Sequence, residues 1–225
     1  MIPWELLDRA PVPGDGGELT LHRRGEEFSI RADGEELMNS RVHGSEEMLA
    51  ELACDRIAER RGAAVLVGGL GLGYTAAAAL GRLAPDARVV VAELVPAVVA
   101  WNRGPLAHLA DYPLGDPRLT VHEGDVGRLL RASRGEYDAI LLDVDNGPEG
   151  FTRPGNDRLY SQAGLATARA ALRRGGVLAV WSAAPNRAFS QRLTRGGFRV
   201  EEVTVGARRH GRGPRHTLWL AETTR

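Results

Sequence analysis

Between residues 63 and 182, short apolar runs alternate with segments whose apolar residues recur at helical spacing. The five apolar runs are AAVLVGG, RVVVAEL, RLTVHEG, YDAILLDV and VLAVWS. Strands that alternate with helices in this way form a parallel sheet covered on both faces. The chain ends differently, because FRVEEVTV and HTLWLAET are too close together for a crossover helix and are expected to pair antiparallel. The sequence therefore predicts an α/β fold whose doubly wound, mostly parallel sheet has seven strands and ends in an antiparallel hairpin.

The residues before this alternation have a different pattern. Short alternating segments separated by glycine-containing turns run from residue 18 to 41, as in a small antiparallel meander. The next segment, SEEMLAELACDRIAER, predicts a helix with Ser45 as its N-cap. We therefore expect a β appendage with an irregular start over residues 1–44 and a catalytic domain over residues 45–225.

The composition restricts the partners of the chain. Lys and Arg together number 29, as do Asp and Glu, so no net field attracts nucleic acid or anionic lipid. The basic stretch at 206–216 is interpreted as a solvated hairpin loop, the alternative being a surface for an anionic acceptor, a protein partner or RNA. The sequence shows neither a signal-peptide pattern nor an apolar run near the roughly 20 residues of a membrane span. We expect a cytoplasmic protein with no nucleic-acid or membrane partner.

The cysteine and histidine content argues against a metal site. The single cysteine, Cys54, lies in the predicted first helix, so we expect a buried structural thiol and no disulfide framework. The six histidines form no group with the spacing of metal ligands. The sequence predicts no metal.

Glycines and acids stand where the first three predicted strands end, and in a doubly wound sheet ligands bind outside these carboxyl ends. Gly68 to Gly73 form a turn whose missing Cβ atoms allow close approach to the backbone, although such a turn also serves simply to reverse the chain. Glu93 closes the second strand, where a carboxylate can accept both hydroxyls of a ribose. Asp125 follows the third and can accept a hydrogen bond from an adenine amino group. Together they indicate a site for an adenosine-containing ligand.

The fourth strand ends in two acids, Asp143 and Asp145. Alternate residues of an extended chain point the same way, so both carboxylates are expected to line one pocket. Such a pair suits binding a cation or taking a proton from an amine. The alternative for Asp145 is a turn role, because it begins the turn-forming sequence Asp-Asn-Gly-Pro.

A dinucleotide-dependent oxidoreductase is an alternative reading of the glycine turn. Gly71-x-Gly73-x-x-Ala76 fits the dinucleotide fingerprint, with Glu93 as the ribose acid. Asp125 and the antiparallel terminal hairpin argue against it, because dinucleotide enzymes do not generally need either.

From about residue 45 to 181 the chain resembles the spermidine synthase family, the aminopropyltransferases that share the class I S-adenosylmethionine-dependent methyltransferase fold. The matching segments are SEEMLAELA, VLVGGLGLG, VVVAELVPAVV, DPRLTVHEGDVGRLL, YDAILLDVDNGP and LYSQAGLATARAALRRGGVLAV. The resemblance implies a small-molecule acceptor, a homodimer to which the appendage contributes, and S-adenosylmethionine or its decarboxylated form as co-substrate.

The resemblance also implies roles for particular residues. The nucleoside and its tail would pack on the glycine turn, ribose would bind the acid of the second strand, and Asp143 would bind the attacking amine and draw off its proton, assisted by Asp145. His43 and Glu46 would lie near the acceptor, with a structural role as the alternative for His43, and Tyr160 would be a lid or a packing residue. The implied co-substrate residues are Gly68, Gly69, Gly71, Gly73, Glu93, Asp125 and Val126.

The sequence departs from the family pattern around the amine. Gly71 stands where spermidine synthases have an acid that holds the amine of the decarboxylated donor, and Ser45 and Glu46 replace the Tyr-His of a Tyr-His-Glu-Met-Leu segment. A buried ammonium that loses its carboxylate costs several kcal/mol. The sequence therefore predicts methyl transfer to an amine or hydroxyl, with aminopropyl transfer as the first alternative and a non-catalytic nucleoside-binding or dimeric interaction module as the second.

Overall fold

The computed structural model describes residues 2–14, 17–144, 147–148, 158–208 and 212–223. These residues form a four-stranded antiparallel sheet followed by a seven-stranded mixed sheet with helices on its faces. The predicted fold class is confirmed.

The N-terminal sheet has its strands in sequence order. Its strands are β1 (Glu5–Pro11), β2 (Glu18–Arg24), β3 (Glu27–Ala32) and β4 (Glu35–Asn39). The last three are the predicted meander. The first is an addition, because the sequence predicts an irregular start there. Most of its residues are exposed, so it carries no clear apolar alternation that would reveal a strand.

The larger sheet has the order β10-β11-β9-β8-β5-β6-β7. Strands β5 to β9 run parallel, and β11 pairs antiparallel with both β9 and β10. Its strands are β5 (Ala64–Gly68), β6 (Arg88–Glu93), β7 (Leu119–Glu123), β8 (Tyr137–Leu142), β9 (Leu172–Ser182), β10 (Phe198–Arg208) and β11 (Arg212–Thr223). The central strands β5 and β8 are buried along their whole length, as expected of a sheet covered on both faces.

Helices follow the parallel strands as the sequence pattern predicts. They are α1 (Gly44–Asp55), α2 (Tyr74–Arg82), α3 (Pro96–Arg103), α4 (Val126–Ala132), α5 (Gln162–Ala171) and α6 (Arg187–Arg195). Two short 3-10 helices, Ala107–Ala110 and Pro113–Gly115, precede β7.

The start of α1 differs from the prediction. His43 occupies the N-cap position without a side-chain cap, and Ser45 lies inside the first turn, where it is buried. The Ser45 hydroxyl accepts a 3.0 Å hydrogen bond from Nε1 of Trp181 and lies 2.8 Å from Nδ1 of His216. Ser45 therefore joins α1 to β9 and β11 and does not cap the helix.

The N-terminal sheet docks onto the larger unit through apolar and polar contacts. Leu21 and Ile30 are fully buried in a core cluster that also contains residues of α1, α2 and α3. Nε1 of Trp101 in α3 donates a 2.7 Å hydrogen bond to Oδ2 of Asp8 in β1. This contact fixes the position of the small sheet above the carboxyl edge of the parallel strands.

Two further predictions from the sequence concern the single cysteine and the possibility of a membrane-spanning segment. Cys54 is a free, buried cysteine, and burial raises the pKa of its thiol to about 12, as fits a structural residue. None of the helices in the described part of the chain is long and apolar enough to cross a membrane.

Candidate active site

A cavity of about 500 Å³ lies at the carboxyl edge of the parallel strands, where β5 and β8 are neighbours. In a doubly wound sheet, ligands bind where the strand order reverses in this way. The N-terminal sheet forms the opposite wall, with Leu19, Ile30 and Met38 facing the cavity. The predicted site residues that line it are Gly69, Gly71, Glu93, Asp125, Val126 and Asp143.

The glycine turn forms one side of this cavity. Gly69 has φ +86°, and a Cβ there would lie 2.6 Å from the backbone oxygen of Asp143, so no other residue fits without displacing the end of β8. Gly71 has φ +53°, and a Cβ there would lie 3.1 Å from the sulfur of Met38, so the absence of a side chain leaves space in the cavity between them.

Gly68 and Gly73 are not among the residues that line the cavity, and their expected role as ligand contacts stays a prediction. Gly68 is the last residue of β5, and its Cα faces Leu142 and Val126. Gly73 is the N-cap of α2, with φ +87°, and packs against Asn102 and Pro113. The spacing of glycines along the chain does not show which of them face the ligand.

Glu93 is buried at the end of β6. Its Oε2 accepts a 2.9 Å hydrogen bond from the backbone N–H of Leu70, and its Oε1 accepts a 2.8 Å hydrogen bond from that of Val95. These bonds orient the carboxylate and tie the glycine turn to the loop after β6.

Asp125 and Val126 lie at the start of α4. Asp125 is the N-cap, and its Oδ1 accepts a 2.7 Å hydrogen bond from the backbone N–H of Arg128. The guanidinium of Arg131 lies 3.8 Å from the same oxygen. Both residues line the cavity together with Glu93, so the two acids expected to hold one nucleoside face a common space.

Asp143 follows β8 and is partly buried. The hydroxyl of Thr75 donates a 2.6 Å hydrogen bond to Oδ2 of Asp143, and the backbone N–H of Asp143 donates to the carbonyl of Gly68. Burial raises the pKa of the Asp143 carboxyl to about 6, and the bond from Thr75 acts in the opposite direction. A carboxyl with this pKa can change its protonation near neutral pH. Asp145 lies outside the described residues.

Glu46 lies on α1 and faces Asp143 from the side of the appendage. Together with Gly71 and Trp181, these two acids line a small compartment of about 50 Å³. Burial raises the pKa of the Glu46 carboxyl well above its usual value, and the charges of Asp143 and Glu47 raise it further. The structure thus brings Glu46 close to Asp143, and the expected role of Glu46 near the acceptor stays a prediction.

His43 and Tyr160 have other surroundings. His43 lines a separate groove between α1, α2 and β10, stacks on Tyr74 with ring centroids 3.9 Å apart, and lies 3.1 Å from a carboxylate oxygen of Glu47. Tyr160 is buried and its hydroxyl donates a 3.3 Å hydrogen bond to the carbonyl of Val144. His43 is therefore not brought to the cavity, and Tyr160 packs beneath the end of β8.

The charged side chains that line the described part of the cavity are all acidic. They are Glu18, Asp33, Glu93, Asp125 and Asp143. No Lys, Arg or His lines the cavity among the residues that the structure describes. The whole chain has equal numbers of acidic and basic residues, so this accumulation is local. Such a cavity favours a cationic ligand.

The structure of the chain is similar to those of several solved proteins. A spermidine synthase solved in complex with the transition state analogue AdoDATO has a TM-score of 0.75 and 16% identity, over 96% of this chain and 72% of the other. A spermidine synthase from Thermotoga maritima gives a TM-score of 0.76 at 16% identity, over the same shares of the two chains. The chain has the fold of the spermidine synthases.

A probable spermidine synthase from Corynebacterium glutamicum shares the fold with a TM-score of 0.66 at 14% identity, over 97% of this chain and 79% of the other. No family model matches the sequence, and no curated protein does. The likeness to spermidine synthases is therefore one of structure, and the chemistry of this chain has to be argued from its own residues.

Several residues that line the cavity are absent from the sequence prediction. Thr75, two residues after Gly73, is not among the lining residues but bonds to Asp143, and its place in the first turn of α2 is a signal from which it could have been found. Glu18, Asp33 and Met38 belong to the N-terminal sheet, and no motif marks them. Their approach depends on how two units that are separate in sequence pack together.

Proposed function

We propose that the protein transfers the aminopropyl group of decarboxylated S-adenosylmethionine to an amine acceptor. The observation that carries this proposal is that every charged side chain lining the cavity in the described residues is acidic. Decarboxylated S-adenosylmethionine has a sulfonium and an ammonium and no carboxylate, so all its charges are opposite to those of the wall. The solved structures with this fold that are named above are spermidine synthases or a probable one, which supports the same reaction.

The acid pair near Gly71 discriminates between the two possible donors. S-adenosylmethionine carries a carboxylate on its tail, and a tail directed toward Glu46 and Asp143 would place three acids in one small space. Like charges brought together cost several kcal/mol, and the single α-ammonium of this tail cannot neutralise all three acids. The methyl transfer predicted from the sequence needs this donor, so we favour aminopropyl transfer.

The residues of the cavity have distinct tasks in the proposed reaction. Glu93 would accept the ribose hydroxyls and Asp125 the adenine amino group, which holds the donor against Gly69. The sulfonium supplies a carbon already activated by its leaving group, so the main contribution of the protein is alignment, which can lower a barrier by roughly 7–11 kcal/mol. As the new N–C bond forms and the C–S bond breaks, methylthioadenosine leaves and Asp143 takes the proton of the amine.

Product analysis tests the proposal. The purified protein is incubated with a panel of diamines and polyamines and with either donor. We expect methylthioadenosine and an aminopropylated amine from the decarboxylated donor. S-adenosylhomocysteine formed from S-adenosylmethionine would establish methyl transfer instead. If no product forms and neither donor gives binding heat at millimolar concentration, the result would favour the non-catalytic interaction module.

We further propose that the chain divides into two domains near residue 45 and that it forms a homodimer. We also propose that the protein is cytoplasmic and that its active site needs no metal. Sedimentation equilibrium tests the homodimer, cell fractionation the location, and activity in the presence of a chelator the independence from metal.

A further inference from the structure

The small compartment next to the main cavity has its own wall. It is lined by Leu37, Met38, Glu46, Leu70, Gly71, Asp143 and Trp181. Four of these residues, Leu37, Met38, Gly71 and Asp143, also line the main cavity, so the two spaces adjoin. With a volume of about 50 Å³, the compartment has room for one small group.

Glu46 is one of the two acids that line this compartment, the other being Asp143. Within the described residues its carboxylate forms no hydrogen bond and no ion pair, and its close charged neighbours are the acids Asp143 and Glu47. A partly buried carboxylate without a donor is unfavourable, and burial and the neighbouring acids raise the pKa of the Glu46 carboxyl. A cation in the compartment would remove both the desolvation cost and the repulsion from Asp143.

The fold holds Glu46 in this position through the residue before it. Ser45 is bonded to Trp181 of β9 and to His216 of β11, which fixes the first turn of α1 against the larger sheet. Trp181 itself lines the compartment. The orientation of Glu46 is therefore set by side chains from three elements.

Gly71 lines the same compartment and contributes no side chain. Asp143 is held by Thr75, from the first turn of the helix after the glycine turn. The compartment thus has two carboxylates on different elements, one on the central strand end and one on α1. Besides the sulfonium, two amino groups take part in the proposed reaction, one on the tail of the donor and one on the acceptor.

We propose that Glu46 binds the terminal ammonium of the aminopropyl tail of the donor, while Asp143 serves the acceptor amine, and that Glu46 thereby selects a donor without a carboxylate. This inference rests on the proposed function. An ammonium has three N–H donors, which the unbonded carboxylate of Glu46 can accept. The carboxylate of S-adenosylmethionine would meet the same acid and be repelled.

Calorimetric binding of three compounds to the full-length protein tests this role. Decarboxylated S-adenosylmethionine carries the tail ammonium, S-adenosylmethionine adds a carboxylate, and methylthioadenosine lacks the tail. The variant Glu46→Gln keeps the shape of the side chain and removes its charge. Glu51→Gln is the matched control, because Glu51 lies on the same helix and pairs at the surface with Arg82.

We expect Glu46→Gln to weaken binding of the decarboxylated donor about ten-fold or more, since a hydrogen bond between charged partners is lost. Methylthioadenosine should bind to the variant as to the wild type, which also shows that the variant is folded. The preference for the decarboxylated donor over S-adenosylmethionine should shrink. Glu51→Gln should leave all three affinities unchanged.

The outcomes separate this inference from the function on which it rests. If the wild type transfers aminopropyl groups and Glu46→Gln binds the decarboxylated donor as tightly as the wild type, the role of Glu46 is wrong and the function stands. The same conclusion follows if the variant loses affinity for the acceptor amine alone. A wild type that binds S-adenosylmethionine more tightly than the decarboxylated donor overturns the proposed function itself.

Discussion

The hydroxyl of Thr75 donates a 2.6 Å hydrogen bond to Oδ2 of Asp143. This bond joins the first turn of α2 to the end of the central strand β8. It favours the ionised carboxylate, whereas burial favours the neutral acid and prevails, so the pKa of Asp143 rises to about 6. The group proposed to receive a proton thus has a pKa near the pH at which it would act.

The role of Asp143 in turnover is tested by Asp143→Asn. The amide keeps an acceptor for Thr75 and cannot take a proton, so we expect kcat to fall at least 100-fold, in line with the usual contribution of a positioned base. Affinity for methylthioadenosine should be unchanged. The wild-type kcat/KM should rise with pH through about 6 as the carboxyl ionises. Activity of Asp143→Asn equal to that of the wild type would refute the assigned role.

The same substitution should change stability in a pH-dependent way. The folded protein binds the Asp143 proton more tightly than the unfolded chain, so the associated stability is present below about pH 4 and is lost as the pH rises through about 6. At pH 8 we expect Asp143→Asn to be more stable than the wild type by about 3 kcal/mol, with the difference vanishing near pH 4. Denaturant unfolding across this range measures it, with Glu35→Gln at an exposed position as the control.

Glu93 combines a structural and a binding task. Glu93→Ala leaves the backbone N–H groups of Leu70 and Val95 without their carboxylate partner, which should cost about 2–4 kcal/mol of unfolding free energy. Glu93→Gln retains one acceptor oxygen and should cost less. Both variants should lose nucleoside affinity, which calorimetry measures on protein that circular dichroism shows to be folded. A Glu93→Ala variant as stable as the wild type would contradict the hydrogen-bonding role.

Asp125 allows capping and ligand binding to be separated. Asparagine is as good an N-cap as aspartate, so Asp125→Asn should leave the thermal midpoint nearly unchanged, whereas Asp125→Ala should lose about 1 kcal/mol. An amide retains a carbonyl acceptor but loses the charge, so we expect weaker binding of adenosine ligands in both variants. Unchanged affinity in both would remove Asp125 from the proposed nucleoside site.

Two glycines provide a matched pair of substitutions. Gly69→Ala forces a Cβ to within 2.6 Å of the Asp143 carbonyl oxygen at a positive φ, and it should destabilise the protein by several kcal/mol. Gly81→Ala lies in the last turn of α2 with no atom within 4 Å of its Cβ and should stabilise by about 0.5–1 kcal/mol. Chemical denaturation compares them. Similar stabilities for the two variants would contradict the close approach at Gly69.

The acids at the strand ends could be predicted from sequence because of a simple geometric rule. Glu93, Asp125 and Asp143 each end or follow a parallel strand, and the carboxyl ends of parallel strands meet at one edge of the sheet. Their joint presence in one cavity follows from this rule. The rule does not show which glycines face the cavity. Gly71 faces it and Gly68 does not, because the backbone points in a different direction at each of them.

The order of strands and helices was determined by the sequence, since the alternation of two hydrophobic periods is a local property of the chain. The approach of Met38 and Glu46 to Gly71 and Asp143 was decided by tertiary structure. It depends on the docking of the N-terminal sheet through Asp8 and Trp101, which are 93 positions apart in the chain. It also depends on the anchoring of α1 through Ser45 and His216, which are 171 positions apart. No local pattern records such contacts, because they arise when separately formed elements bury their apolar faces against one another.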